Sequence, residues 1–166
     1  MIIRFGPLSR DHNRKGFRSG EPALDRWFEL QAGQDQKRNI ARVFVAVDEE
    51  GIVGFYSLSM FTLALDELPS KLSRKLPNYR AIPAALIGRL ARHERVRGQG
   101  IGELLVADAV TRVLSVSGTI AAYAIVVDAK NERAVSFYQS FGFIAFPNTP
   151  SRLFLLCETA RRALNK

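Results

Sequence analysis

An apolar run at residues 84–93, a glycine-bearing bend at Arg97-Gly98-Gln99-Gly100-Ile101-Gly102, a helical pattern from about Gly100 to Ser117 and a second apolar run, Ile120 to Val127, follow one another directly. This order limits what the chain can fold into more than any other feature. Two strands joined by a crossover of helix length run parallel, and parallel strands need cover on both faces. An α/β architecture follows. Leu104, Leu105, Ala109 and Leu114 are among the apolar positions of the crossover helix.

The flanking segments make the sheet mixed. Leu24, Trp27, Phe28 and Gln31 are spaced i, i+3, i+4, i+7, which predicts a helix over about 22–38, with Pro22 near its start and Ser19 as its cap. Val43 to Val47 is β-rich, Asp48 to Gly51 is a turn, and Ile52 to Leu65 resumes the strand pattern, so an antiparallel hairpin is expected. Pro69 and Pro77 bracket a basic stretch that reads as loop or short helix. Asn131 to Phe141 reads as a second short helix ended by Gly142, and Arg152 to Glu158 as a last strand. No repeat, low-complexity run or linker divides the 166 residues, so one domain spanning 1–166 is expected. With 47% hydrophobic residues the chain can bury a core.

Composition removes several function classes. The single cysteine, Cys157, rules out an internal disulfide framework, and with only His12 and His93 beside it no Cys/His zinc cluster can form. No metal is expected, and a reducing cytoplasm fits. No basic region followed by an apolar one opens the chain, so a secretory signal is not expected. Residues 52–65 and 113–127 are uncharged but shorter than the roughly 20 residues of a membrane span, and 134–151 is broken by Gln139, Pro147, Asn148 and Pro150. No membrane association is expected.

Charge is unevenly placed. The net formal charge is +8, and residues 71–97 carry Lys71, Arg74, Lys75, Arg80, Arg89, Arg92, Arg95 and Arg97 against Glu94 alone. Residues 43–70 hold acids and no base. A local anionic partner is one reading, and a solvated basic surface is the other.

The bend at residues 97–102 carries the chemistry. Glycines let the backbone approach a ligand closely, and the N–H groups that open a helix favour a phosphate or diphosphate. It is not a Walker loop, because no Lys-Ser/Thr follows the last glycine. It is a poor dinucleotide fingerprint, because the third glycine arrives too early.

Arg97-x-x-Gly100-x-Gly102 after an apolar strand resembles the diphosphate loop of the GNAT acetyltransferases. Asn131-Glu132-Arg133-Ala134-Val135-Ser136-Phe137-Tyr138-Gln139-Ser140-Phe141-Gly142-Phe143 is similar to their second signature, N-x-x-A-x-x-F-Y-x-x-x-G-F. Phe17-Arg18-Ser19-Gly20, Leu24-Asp25-Arg26-Trp27, Val53 to Leu58 and Ile87-Gly88-Arg89-Leu90-Ala91 extend the resemblance to the TacT-like GNAT toxins of bacterial toxin–antitoxin pairs. The likeness covers residues 17 to about 157.

The resemblance implies a GNAT-like mixed sheet, splayed at its centre and flanked by helices, and acetyl-CoA as co-substrate. Backbone groups near Leu90 and Arg92 would pair with the pantetheine amides, and Arg97, Gly98, Gln99, Gly100, Ile101 and Gly102 would hold the diphosphate. Asn131 would hydrogen-bond the cofactor arm, and Tyr138 would be the general acid that protonates the departing thiolate. A phenol of pKa ~10 suits that role. The motif contains no Glu or His at an obvious base position, and His93 and Glu94 are candidates by proximity alone. An α-amine, which titrates near ~8, can lose its proton to water far more readily than lysine at ~10.4.

The TacT-like group acetylates the α-amine of aminoacyl-tRNA and so blocks translation, and Lys71, Arg74, Lys75, Arg80 and Arg89 are the expected RNA contacts. The group also implies an antitoxin of the ribbon-helix-helix, TacA-like type, and admits a homodimer. One departure stands out. Where the group commonly reads R-L-A-V-D, this chain has Arg89-Leu90-Ala91-Arg92-His93, which bears on the acceptor. A GNAT enzyme acting on a small amine or a protein N-terminus, and a nucleic-acid-binding module without acetyl-CoA, are the alternatives.

Overall fold

The computed structural model describes residues 1–78 and 81–165. Strand β1 (Arg4–Pro7) is followed by helices α1 (Pro22–Leu30) and α2 (Ala32–Lys37), strands β2 (Arg42–Asp48) and β3 (Gly51–Leu63), the one-turn helix α3 (Ser70–Ser73) and strand β4 (Ile82–Arg92). Helix α4 (Ile101–Ser115), strand β5 (Ala124–Asp128), helix α5 (Glu132–Gln139), strands β6 (Ile144–Phe146) and β7 (Thr149–Leu156) and helix α6 (Cys157–Leu164) complete it. The strands form a seven-stranded mixed sheet in the order β1-β2-β3-β4-β5-β7-β6. Ala84–Ile87 of β4 lie parallel to Ala124–Val127 of β5, as the crossover requires. The pairs β1–β2, β2–β3, β5–β7 and β6–β7 are antiparallel.

The chain forms two compact units, one of residues 1–59 and 88–111, the other of residues 60–87 and 112 onward, and β3, β4 and α4 contribute to both. The first has an aromatic core in which Phe28 stacks on Phe55 with ring centroids 4.0 Å apart, and Phe17 meets both edge-on. Alternation along β3 then assigns its faces. Phe55 turns to α1. Gly54 and Tyr56 turn to α4, where the Tyr56 hydroxyl donates to Asp108 Oδ2 at 2.5 Å. The second unit packs Leu63, Ile82, Ala84, Ala124, Val126, Phe146 and Phe154 together.

Several expectations are corrected. The helix expected over 22–38 is two, because the Phe28 carbonyl, which would accept the Ala32 N–H in a continuous helix, accepts Arg14 Nη1 at 2.9 Å. Ser19 does not cap α1. Glu21 occupies that place, and Ser19 instead donates its N–H and hydroxyl to Asp25 on the first turn. The strand expected from Ile120 begins at Ala124, and the last strand ends at Leu156, where α6 starts.

Candidate functional site

In the first unit, β4 runs out between two hydrogen bonds to β3. Arg89 N donates to Ser57 Oγ at 3.0 Å, and His93 N to the Val53 carbonyl at 2.7 Å. After His93 the chain makes a single turn at Glu94–Val96, capped by His93 Nδ1, which accepts from Arg95 N. The bend at residues 97–102 comes next. Gly98 and Gly100 both have φ of +78°, the left-handed region that side chains rarely adopt, and a Cβ at Gly98 would meet no atom within 4 Å. The backbone there is both bent and open. The first helical hydrogen bond after the bend runs from Leu104 N to the Gly100 carbonyl, so the N–H groups of the opening turn of α4 have no partner within the helix. Arg97, Gly98, Gln99 and Gly100 are exposed, whereas the Ile101 side chain is buried in the core and can offer only its backbone.

Alternation along β4 puts Arg89 and Ala91 on the α1 face and Leu90 and Arg92 on the α4 face. Ala91 packs with Phe17, Phe28 and Phe55, in agreement. Arg92 Nη1 is buried and has no hydrogen-bond acceptor. A buried guanidinium N–H without an acceptor is costly, and a bound anion relieves that cost.

In the second unit, Asn131 caps α5, its Oδ1 accepting from Ala134 N at 2.9 Å. Its carboxamide NH2 is the part left for a ligand. Tyr138, on the last turn, is 8% exposed, and its ring meets Phe137 and Phe143 edge-on with centroids 5.3 and 5.6 Å away. Burial pushes the phenol up to about 12 from 10.0, so it stays protonated throughout the physiological range. Asn131 and Tyr138 thus sit at the two ends of one helix, with different exposures.

No group of three or more His, Cys, Asp or Glu side chains that could hold a metal ion occurs among the described residues. His93 is neutral near pH 7, because burial and then Arg95 lower its pKa. Its Nδ1 is already an acceptor, so the proton resides on Nε2 and the ring donates there. A general base at His93 is thereby disfavoured.

Residues 39–145 match the acetyltransferase (GNAT) domain. The chain belongs to the GNAT acetyltransferase family. Among curated GNAT relatives it is 31% identical over 159 residues to a probable toxin TacT of Sinorhizobium fredii, covering 90% of this chain and 88% of that one. It is 34% identical over 145 residues to a tRNA-acetylating toxin of Mycobacterium tuberculosis, covering 87% and 86%. Among solved structures, AtaT complexed with acetyl-methionyl-tRNAfMet matches with a TM-score of 0.90 at 29% identity, over 98% of this chain and 99% of that one. AtaTR bound with acetyl-CoA matches at 0.84 and 30%, over 98% of both. A tyrosine-to-phenylalanine variant of AtaT bound to the C-terminus of the antitoxin AtaR matches at 0.83 and 25%, over 99% of both.

The basic residues expected to meet RNA divide. Lys71, Arg74 and Lys75 are exposed on and just after α3 in the second unit, where Arg74 Nε donates to the Ser70 carbonyl at 3.2 Å. Arg80 lies outside the described residues. Arg89 is in the first unit, half-buried, with its guanidinium carbon 4.2 Å from the centroid of the Trp27 ring. Arg95, counted in the cluster by sequence, pairs with Asp48 and Glu50 and so is committed to the fold. The orphaned nitrogen of Arg92 is the feature sequence reasoning missed, since only its backbone was assigned a role; the arginine in place of an apolar residue was the available signal.

Proposed function

We propose that this chain transfers the acetyl group of acetyl-CoA to the α-amine of an aminoacyl-tRNA, and that it does so as a translation-blocking toxin restrained by an antitoxin. The overlap of nearly the whole chain with a toxin that holds an acetylated aminoacyl-tRNA carries the reading.

The residues fit acetyl-CoA. The left-handed glycines at 98 and 100, of which Gly98 faces open space and Gly100 lies beside Glu103 Oε2, with the start of α4 and the unsatisfied Arg92 Nη1, favour a diphosphate. Arg97 adds charge at the bend, Gln99 and the N–H groups of Ile101 and Gly102 add donors, backbone groups at Leu90 and Arg92 pair with the pantetheine amides, and the Asn131 carboxamide holds the arm. Acetyl-CoA supplies an activated thioester whose leaving group is a thiolate. Tyr138 gives that thiolate its hydroxyl proton; burial keeps the phenol protonated until the moment of transfer, while making it a weaker acid than an exposed tyrosine. The amine loses its proton to water. A pKa near ~8 leaves enough neutral amine at cellular pH, and no side chain needs to take the proton.

Lys71, Arg74, Lys75, Arg80 and Arg89 supply charge for RNA phosphates, which makes affinity fall with salt. A tRNA substrate supports a cytoplasmic location, and no helix among the described residues is long and apolar enough to cross a membrane. The restraining partner is a ribbon-helix-helix antitoxin, in line with the antitoxin-bound relative. Incubation of the purified chain with labelled acetyl-CoA and charged tRNA tests the reading. Label on the amino acid of charged tRNA, with none on deacylated tRNA, is expected; label only on small amines or peptide N-termini overturns it.

A further inference from the structure

Arg89 is held from two directions. Its backbone N–H donates to Ser57 Oγ, and the Ser57 side chain is buried, with only 2% of the residue exposed. Its guanidinium lies over the indole of Trp27, and that indole is itself fixed, since Nε1 donates to Asp35 Oδ2 at 3.0 Å and the ring packs against Phe55. A guanidinium stacked on an aromatic face keeps its N–H donors in the plane, pointing away from the ring. Among the described residues no carboxylate or carbonyl accepts from them. Rotamer entropy that an arginine normally loses on binding is already spent here.

The side of the strand matters as much as the stack. The bend at residues 97–102 leads into α4, and α4 covers the Gly54 and Tyr56 face of β3. Arg89 and Trp27 occupy the opposite face, with α1. A diphosphate gripped at the start of α4 therefore leaves Arg89 free for a different anion, and an acceptor has to come to the thioester from the face the cofactor does not use.

We propose that Arg89, pre-set on Trp27, is the positioning residue that grips a backbone phosphate of the incoming RNA close to its aminoacylated end. The inference rests on the aminoacyl-tRNA reading given above. Arg89 makes two parallel hydrogen bonds to one phosphate, as a guanidinium fork does and an ammonium cannot. Trp27 sets the angle, and the exposed lysines and arginine at 71–75 add charge without fixed geometry.

The test compares Arg89→Gln and Arg89→Lys with the parent on two acceptors, a charged tRNA and the methyl ester of the same amino acid, which has no phosphate. Arg89→Gln is expected to raise KM for the charged tRNA about 10- to 100-fold, to flatten the slope of log K against log salt by about one, and to leave the acetyl-CoA dissociation constant within about twofold. The preference for tRNA over the ester narrows by the same factor as KM rises. Arg89→Lys keeps the salt slope and loses the fork, so its KM rises severalfold. An unchanged KM and salt slope in both variants, accompanied by a lower melting temperature, would make Arg89 a strut for Trp27 and overturn the inference while the acetylation of tRNA stands. A parent protein that acetylates the ester and not the tRNA overturns both.

Discussion

Arg95 donates from both terminal nitrogens to the two carboxylate oxygens of Asp48, at 3.0 and 2.9 Å, and so ties the segment after β4 to the turn between β2 and β3. The Arg95 hydrogen bond, helped by the Glu50 and Gly51 N–H groups, holds the Asp48 carboxyl at about 2 against an ordinary 3.8. The folded value lies below the unfolded one. The stability it contributes is therefore complete above pH 3.8 and is lost as pH falls through about 2. Arg95 is about 29% exposed although the Asp48 side chain is only 5% exposed, so solvent screens the pair from the arginine side and Asp48→Asn is expected to cost about 1 kcal/mol at pH 7. Urea melts across this range check it: the difference between parent and variant shrinks to nothing at the acid end.

Gly54 has no room for a side chain. A Cβ there would lie 2.8 Å from Leu105 Cδ1 and 3.0 Å from the Ala91 carbonyl oxygen, and the second of these is backbone that cannot swing away. Gly54→Ala is expected to lower stability by about 1–3 kcal/mol through overpacking of α4 on the sheet. Denaturant midpoints measure this, and a midpoint equal to the parent's would mean that α4 shifts freely.

At the bend, the demand on glycine is conformational. Gly98→Ala puts a side chain at φ +78° in otherwise open space, a strain of about 1–2 kcal/mol that the bend can relieve by changing shape. Calorimetry with acetyl-CoA should show affinity at least about tenfold weaker, with a melting temperature close to the parent's. The reverse pattern, unchanged affinity with lost stability, would deny the bend its role in binding.

The pH dependence separates a water-assisted amine from a side-chain base. The account expects kcat/KM on charged tRNA to rise with a single group near ~8, the amine itself, and then to hold level, because Tyr138 remains protonated up to about 12. A rising limb centred below 6.5, where the lowered His93 titrates, that disappears in His93→Gln would put a base at that residue.

Much of this was legible in the sequence, and for physical reasons. The parallel pair, the crossover helix and the short helix that opens near Asn131 follow from periodicity, strand length and side-chain chemistry, which act over a few residues. The break between α1 and α2 was not legible, because it depends on Arg14 reaching across 14 positions to the Phe28 carbonyl. Strands β1 and β6 are too short to set a period. Arg89 shows the same limit at the site. Its charge suggested RNA, but only the fold reveals that it is stacked on Trp27, and only the fold separates it from Arg95, whose charge is committed to Asp48.

The central claim is that the buried phenol of Tyr138 delivers the proton that lets coenzyme A leave, and single-turnover transfer of label from acetyl-CoA to charged tRNA tests it most directly. Tyr138→Phe keeps the ring packing against Phe137 and Phe143 and removes only the hydroxyl that carries the proton. The account predicts a transfer rate lower by about 10²–10⁴ with acetyl-CoA still bound at parental affinity. Transfer by the phenylalanine variant at the parental rate would contradict it.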